Sequence, residues 1–224
     1  MTGRFAPSPS GRMHMGNLWS CLLAWLSARS AGGRMVLRLE DLDPDRCSQG
    51  YCDQVMRDLE WLGLDWDGGP VYQSRRTDLY AQAFRELEEK GLLYPCFCTR
   101  AERLSASAPH RSDGAAVYSG RCGHLSRAER EELSAQRRPA WRVRVPEREV
   151  SFTDLLQGEY RENLARDCGD FILRRSDGVF AYQLAVVVDD GAMGVTQVVR
   201  GSDLLSSTPR QRWLQEQLGL THPD

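Results

Sequence analysis

The N-terminal segment constrains the fold of this chain more strongly than any other. A stretch with two prolines and a glycine, Pro7 to Gly11, separates Phe5 from an apolar-periodic run, Leu18 to Ala28. Proline and glycine interrupt regular structure, and apolar residues at helical spacing predict a helix, which Asn17 would open. Met35 to Leu39 then has the length and apolar character of a strand. A strand, a helix and a strand in about forty residues predict a βαβ unit with a parallel sheet.

The start of this first helix is a candidate phosphate site. Helix N-termini present unpaired backbone N–H groups and the positive end of the helix dipole. His14 comes just before the helix, where a ring N–H could reach a phosphate as negative charge builds on it. The alternative is an ordinary loop with a surface histidine, and the motif His-x-Gly-Asn alone does not decide between the two.

Charged residues follow two of the predicted strands. Ligands of parallel α/β sheets bind at the carboxyl ends of strands, and Glu40, Asp41 and Asp43 follow the second strand. One of these acids could face a substrate ammonium, or all could be capping or solvated loop acids. Arg200 follows Val195 to Val199, which we predict to be a buried strand. The Arg200 guanidinium could bind a ligand carboxylate through two parallel hydrogen bonds, or it could form a salt bridge with a nearby aspartate.

Further elements follow along the chain. Apolar residues at helical spacing predict helices from Ser48 to Leu62 and from Thr77 to Lys90. Trp141 to Val145 alternates as a strand does, and Gly169 to Gly178 predicts a strand that enters an Asp-Gly turn. We expect the apolar segment Phe180 to Val188 to return to the sheet.

The cysteines indicate a metal site. Seven cysteines are an odd number, and Cys96-x-Cys98 is spaced for a metal more than for a disulfide framework. With Cys122 the chain offers three thiolates, and a closed zinc site needs four ligands. His124 is the choice from residue chemistry, because imidazole is a common zinc ligand. Three buried free cysteines are the alternative.

Composition limits the remaining possibilities. A chain of 224 residues can bury a full core. No leader and no long apolar run is evident, so we expect a cytoplasmic protein without membrane contact. The net charge of −2 gives no general affinity for nucleic acid, so RNA contact would need a local arginine patch. For residues 127–138 the alternative is a solvated helix whose arginines form salt bridges with its glutamates. The candidate patch residues are Arg100, Arg103, Arg111, Arg121, Arg127, Arg130, Arg137 and Arg138.

Several of these motifs resemble one family. Arg4 to Asn17 resembles the first signature of the class I aminoacyl-tRNA synthetases, in the version of the glutamate-activating enzymes, with Asn17 replacing the second histidine. Leu39 to Asp43, Tyr182 to Asp190 and Val199 to Leu204 resemble further glutamyl-family segments in the same order. The implied fold is α/β, a Rossmann-type parallel-sheet nucleotide-binding domain with a small inserted zinc-containing subdomain. The implied parts are residues 1–94 and 141–224 for the catalytic domain and 95–140 for the insertion.

The resemblance also implies roles for individual residues. The implied L-glutamate-binding residues are Arg4, Ser8, Glu40, Tyr182 and Arg200. The implied ATP-binding residues are Pro7, His14, Gly16 and Asn17, with His14 and Asn17 acting in catalysis. The glutamate carboxylate would attack the ATP α-phosphate, with Mg²⁺ helping, to give glutamyl-adenylate and pyrophosphate.

Within this family the chain resembles one branch more than the others. Glutamyl-Q tRNA(Asp) synthetases bind one structural zinc through a Cys-x-Cys and a later Tyr-x-x-x-Cys, which fall here on Cys96, Cys98, Tyr118 and Cys122. This resemblance implies Tyr118 as the fourth ligand in place of His124. The implied activity is ATP-dependent, tRNA-independent activation of L-glutamate and its transfer to queuosine at the wobble position of tRNA(Asp), by a monomer.

Three other functions remain open. The chain could be the truncated catalytic part of an ordinary glutamyl-tRNA synthetase, or a non-catalytic zinc-stapled tRNA-binding protein. A nucleotidyltransferase of the same superfamily is a further possibility. The family's second signature is a lysine-rich loop, expected downstream of Leu218 to Asp224. Since Lys90 is the only lysine and lies in a predicted helix, we expect the chain to stop before that loop, which puts its activity as given in question.

Overall fold

The structure is a computed structural model that describes residues 1–99 and 117–224. Arg100, Arg103 and Arg111 of the predicted arginine patch lie outside the described residues. The chain forms two compact units, one of residues 1–79, 188–205 and 221–224 and one of residues 80–187 and 206–220. Among the described helices, none combines the length and apolar character that crossing a bilayer requires.

The first unit contains the βαβ unit that the sequence predicts. Its regular elements are β1 (Thr2–Phe5), α1 (Met15–Ser30), β2 (Arg34–Leu39), α2 (Gln49–Trp61) and β3 (Val71–Tyr72), followed by a 3₁₀ turn at Gln73–Arg75. The strands form a parallel sheet in the order β1-β2-β3, in which Phe5 pairs with Leu37. The predicted parallel sheet is therefore confirmed.

Apolar side chains from both helices and from the strands form one core in this unit. Phe5, Leu37, Leu39 and Leu59 are each at most 1% exposed, and Ala28 of α1 packs in the same cluster. Strands buried on both faces read as continuous apolar runs, which explains the sequence of β2. The one exception in that run is Arg38, which is fully buried.

The second unit is mainly antiparallel. Its elements are α3 (Thr77–Glu89), β4 (Leu93–Cys96), a 3₁₀ turn at Arg121–His124, α4 (Arg127–Gln136), β5 (Ala140–Val143), β6 (Glu149–Asp154), β7 (Gly158–Asn163), a π-helical turn at Leu164–Cys168 and β8 (Phe171–Arg174). They are followed by α5 (Tyr182–Ala192), a 3₁₀ turn at Ser202–Ser207 and α6 (Thr208–Gln217). Strands β4, β5 and β8 form one antiparallel sheet, and β6 with β7 forms a hairpin. The boundary between the units falls within α3 and again within α5.

Two predicted strands are wrong. The segment expected to return to the sheet, Phe180 to Val188, instead forms most of α5. Leu184 to Val188 are all buried, so this helix lacks the one-sided apolar pattern that identifies a helix from sequence. Val195 to Val199 is not a regular strand: only Thr196 and Gln197 donate to the Thr2 carbonyl of β1.

The predicted domain boundaries at residues 94 and 140 stay a prediction. The structure describes residues 95–99 and 117–140 of the expected insertion and places them in the second unit. The predicted strand at Trp141 and the Asp-Gly turn after β8 are both confirmed, and Gly178 adopts the positive φ of 98° that such a turn requires.

Candidate active site and metal centre

His14 caps the N-terminus of α1. It is the N-cap, its Nδ1 accepts a hydrogen bond from the Gly16 N–H at 3.1 Å, and its own N–H donates to Asn17 Oδ1 at 3.3 Å. The helix therefore begins at Met15 with His14 as its N-cap, so the prediction that Asn17 opens it is wrong; Asn17 is the third helical residue, and its side chain completes a capping box. Because Nδ1 is an acceptor, the neutral imidazole carries its proton on Nε2.

Gly16 makes room for this arrangement. A Cβ on Gly16 would lie 3.1 Å from Cε1 and 3.2 Å from Nδ1 of the His14 ring. A larger residue would therefore require the His14 ring to shift by a few tenths of an ångström. His14, Gly16 and Asn17 are all exposed, so a ligand can reach the ring and the remaining N–H groups of the helix start.

The loop after β1 is tied to the end of β2. The Pro7 carbonyl accepts a hydrogen bond from the Glu40 N–H at 3.0 Å. Ser8 follows Pro7 and is exposed. The structure therefore brings Pro7, Ser8 and Glu40 to the carboxyl edge of the parallel sheet, as the βαβ prediction requires.

Arg4 is a buried arginine with spare hydrogen-bonding capacity. It is 6% exposed, and its Nε lies 3.4 Å from Asp190 Oδ1 without forming a hydrogen bond. Among the residues that the structure describes, no hydrogen-bond partner is found for its two terminal nitrogens. A buried guanidinium with unused donors is suited to an anionic ligand.

Glu40 is held on one side only. Arg38 donates to Glu40 Oε1 from Nη2 at 3.1 Å and from Nε at 3.4 Å. Within the described part of the chain, no hydrogen bond reaches the other carboxylate oxygen, Oε2. Burial raises the pKa of Glu40, and the positive charges of Arg38 and Arg4 lower it only in part.

Two adjacent acids of α5 complete this cluster. Asp190 accepts from Arg38 Nη1 at 2.6 Å, and Asp189 accepts from Gln73 Nε2 at 2.8 Å and from Arg76 Nε at 2.7 Å. Sequence reasoning missed all of these residues. The available signal was Arg38 itself, a charged residue in an otherwise apolar strand, which must have an anionic partner if it is buried.

The other two predicted glutamate residues lie in different units. Arg200 is half-buried, follows the segment that contacts β1 and belongs to the first unit. Tyr182 is the first residue of α5 and belongs to the second unit. The structure thus places Arg4, Ser8, Glu40 and Arg200 in one unit.

Three cysteine sulfurs and one phenol converge in the second unit. The Sγ atoms of Cys96, Cys98 and Cys122 all lie within 4.8 Å of one another, and Cys98 and Cys122 are 3.4 Å apart. The Tyr118 Oη lies 3.5 Å from Cys96 Sγ and 3.4 Å from Cys98 Sγ. In a tetrahedral zinc site the ligand–ligand edges are about 3.8 Å for two sulfurs and about 3.5 Å for sulfur and oxygen. The four side chains therefore fit a zinc ion, whereas exposed His124 is not part of the group.

Donors surround these sulfurs. Arg142 Nε lies 3.3 Å from Cys96 Sγ, and its guanidinium lies 3.8 Å from the centre of the Tyr118 ring. The Phe97 N–H donates to Cys122 Sγ at 3.4 Å. Burial raises the pKa of the Cys96 thiol, but hydrogen bonds from Tyr118, the Cys98 backbone and Arg142 outweigh burial and lower it overall. At Cys96 these donors favour thiolate, the form that binds metal, whereas burial raises the pKa of Cys98 to about 11.

Part of the predicted arginine patch lies near this group. Exposed Arg137 and Arg138 line a cavity of about 650 Å³ together with Cys96 and Cys98. Arg127, in contrast, pairs with Glu131 at 2.7 Å on the solvated face of α4. The salt-bridged alternative therefore holds for Arg127, and Arg137 and Arg138 remain candidates for phosphate contact.

Comparisons with known proteins agree on one family. The model of the catalytic domain of class I tRNA synthetases (E and Q) matches residues 1–224. The chain is 53% identical to a glutamyl-Q tRNA(Asp) synthetase of Nitratidesulfovibrio vulgaris, over 99% of this chain and 71% of that protein. It is 50% identical to the protein of that name in Geobacter sulfurreducens, over 99% of this chain and 69% of that protein.

Solved structures match over the whole chain. A glutamate tRNA ligase of Elizabethkingia meningosepticum, crystallised in complex with its amino acid, superposes with a TM-score of 0.86 at 29% identity. The glutamate-tRNA synthetase of Elizabethkingia anophelis gives a TM-score of 0.87 at 29% identity. Each match covers 100% of this chain, which spans 48% and 49% of those proteins.

Proposed function

The chain belongs to the class I (E and Q) tRNA synthetases, in the branch of the glutamyl-Q tRNA(Asp) synthetases, and from this membership we propose its reaction. It activates L-glutamate with ATP, without tRNA, and transfers the glutamate to queuosine at the wobble position of tRNA(Asp). One observation carries the proposal: buried Arg4 has unused donors and Glu40 has an unused oxygen, and both lie in one unit with the start of α1. A free amino acid needs such a pair of opposite charges.

Five side chains bind the amino acid in this proposal. Glu40 receives the ammonium, and Arg4 and Arg200 answer the two carboxylates, with Ser8 and Tyr182 completing the contacts. Glutamine would offer one of these two guanidinium groups a neutral amide in place of a carboxylate. Sites built on polar pairing discriminate strongly for this reason.

The start of α1 binds ATP in this proposal. The glutamate carboxylate attacks the α-phosphorus, an O–P bond forms, and the bond from that phosphorus to the pyrophosphate oxygen breaks. His14 Nε2–H donates to the phosphate as negative charge builds on it, while Pro7, Gly16 and Asn17 shape the backbone around the nucleotide. The chain contributes positioning and charge stabilisation, with Mg²⁺ entering together with ATP.

We propose that Cys96, Cys98, Tyr118 and Cys122 hold one structural zinc. A closed site with four protein ligands supplies folding free energy and leaves no position for a substrate. Arg137 and Arg138 lie beside this centre, and their exposed charges suit the phosphates of tRNA.

Glutamate-dependent ATP–pyrophosphate exchange without tRNA tests this function. We expect exchange by the wild type, measured for the chain and for its longest natural reading frame. Exchange only in the longer form would support the proposal and show that a lysine-rich loop is required. In whichever form is active, Glu40→Gln should abolish exchange at low glutamate, whereas Asp53→Asn should not, because Asp53 lies in α2 and accepts from Gln49 of the same helix.

Two other results would favour the alternatives. If neither form shows exchange until tRNA(Glu) is added, the activity is that of an ordinary glutamyl-tRNA synthetase. If no tRNA restores exchange but tRNA still shifts in a gel, the chain is a binding protein.

A further inference from the structure

Asp190 contacts two arginines that come from different strands. Its Oδ1 accepts a hydrogen bond from Arg38 Nη1 at 2.6 Å and lies 3.4 Å from Arg4 Nε. Arg38 in turn holds Glu40 Oε1. We infer that Asp190 is a positioning residue for L-glutamate, which fixes Arg4 directly and Glu40 through Arg38 and sets the affinity for the amino acid without touching it. This inference rests on the proposed function, in which Arg4 and Glu40 bind glutamate.

The four side chains form a line of alternating charge. Arg4, Asp190, Arg38 and Glu40 follow one another through contacts of 3.4, 2.6 and 3.1 Å. Their side chains are at most 7% exposed. Buried charges in proteins persist when they are paired, and the line is neutral as a whole. The two groups proposed to bind glutamate stand at its two ends, so the line fixes their separation.

The geometry of Arg38 explains how Asp190 keeps Glu40 available. A guanidinium has five N–H donors. Asp190 occupies Nη1, while Nη2 and Nε both point to the same oxygen of Glu40, Oε1. With Nη1 occupied, Arg38 engages one oxygen of Glu40, and Oε2 is left for a ligand ammonium.

Loss of the Asp190 charge would change both ends of the line. Arg38 would then turn to Glu40, the nearer of its remaining anionic partners, and engage both of its oxygens, in the bidentate geometry that arginine and carboxylate favour. Arg4 would lose its anchor, since Asp190 is its ion-pair partner among the described residues. Both changes weaken glutamate binding, and neither touches the start of α1 where ATP binds in the proposed function.

The neighbouring acid has a different task. Asp189 accepts from Gln73 and Arg76, and its Oδ2 lies 3.8 Å from Arg38 Nε. It fixes the 3₁₀ turn after β3 against α5 and contributes charge to Arg38 only at that longer distance. The positioning role therefore falls on Asp190.

Asp190→Asn tests the inference, because asparagine has the same shape but no charge. ATP–pyrophosphate exchange is measured while glutamate and ATP are varied separately, and glutamate binding is measured by calorimetry. We expect the KM and Kd for glutamate to rise roughly 30-fold, the effect of removing one partner from a buried charge pair, with the KM for ATP within about twofold of wild type. Asp67→Asn is the matched control: it removes one aspartate charge from an ion pair with Arg29 in the same unit, and its KM for glutamate should equal that of wild type.

A second variant covers the case in which Asp190→Asn does not fold. Arg38→Lys keeps the positive charge, but one ammonium cannot reproduce the fork that joins Asp190 to Glu40. Its KM for glutamate should also rise while its KM for ATP does not.

Three outcomes overturn the inference. They are an unchanged KM for glutamate in a folded variant, an equal rise in both KM values, and an equal effect of Asp67→Asn. If the wild type neither binds nor activates glutamate in the given form or in its longest natural reading frame, the proposed function is wrong, and the inference is wrong with it. Activity in the wild type with an unaffected Asp190→Asn variant refutes the inference alone.

Discussion

Replacing Tyr118 by phenylalanine should weaken zinc binding while leaving the three thiolates in place. The change removes one oxygen, which lies 3.4 to 3.5 Å from two of the cysteine sulfurs. The ring can stay where it is, stacked against the Arg142 guanidinium at 3.8 Å. The variant therefore isolates the contribution of the phenol oxygen from that of the packing.

The expected size follows from the number of ligands. A four-ligand structural zinc site is worth about 10 to 16 kcal/mol, or about 3 kcal/mol for each ligand. Water can take the open position and recover part of this, so we expect a loss of about 2 kcal/mol, which is roughly a 30-fold weaker zinc affinity. The Cys122 N–H also loses its acceptor, Tyr118 Oη at 3.0 Å, which should lower the free energy of unfolding by about 1 kcal/mol.

Competition with a chromophoric chelator measures the affinity, and elemental analysis of the purified protein measures the stoichiometry. His124→Ala is the control, because His124 is exposed and stands outside the sulfur group. Zinc affinity equal to wild type in Tyr118→Phe, together with a loss in His124→Ala, would refute the assignment of the fourth ligand.

Three further predictions concern the first unit. Asp67→Asn should lower the free energy of unfolding by about 1 kcal/mol at neutral pH, a value kept small because the side chain is 39% exposed. Hydrogen bonds from the Met35 N–H and then from Arg29 hold the pKa of Asp67 below its ordinary value. This stabilisation is therefore present above about pH 4 and disappears as the pH falls through the lowered pKa. Denaturant unfolding of wild type and variant at several pH values checks this, and a difference in unfolding free energy that does not change with pH would contradict it. His14→Ala should reduce the kcat of exchange about 100-fold with an unchanged KM for glutamate, and a change confined to that KM would count against a role at the phosphate. Leu37→Ala, in a fully buried strand position, should cost about 3 kcal/mol of unfolding free energy by denaturant titration, and a cost below about 1 kcal/mol would mean that the core rearranges around it.

The βαβ unit could be predicted because its signals are local. Prolines and a glycine mark the loop after β1, leucines mark α1, and an apolar run marks β2. The position of Glu40 at the end of β2 follows from these. The N-cap of α1 could not be predicted in the same way, because histidine is not a usual N-cap and His14 caps the helix through its ring nitrogen.

The partners of Arg38 could not be predicted because they are distant in sequence. Asp190 follows Arg38 by 152 positions, and no spacing rule connects residues so far apart. The helix that carries Asp190 could not be predicted either. Its residues Leu184 to Val188 are all buried, so its sequence shows neither helical nor strand periodicity. At the proposed metal centre the sequence indicated three cysteines as candidate ligands, which the structure brings together, whereas residue chemistry alone favoured His124 as the fourth and only the resemblance pointed to Tyr118.

The discontinuous first unit has a consequence for synthesis on the ribosome. β1, α1 and β2 are translated early, but Asp189 and Asp190, two of the anionic partners of Arg38, are synthesised about 150 residues later. At about 5 to 20 residues per second this delay lasts roughly 8 to 30 s. During that time the nascent βαβ segment must either leave Arg38 in water or bury it with Glu40 alone. Completion of the proposed amino-acid site is thus coupled to elongation past α5, and slowing translation there should prolong exposure of the nascent β2 to chaperones.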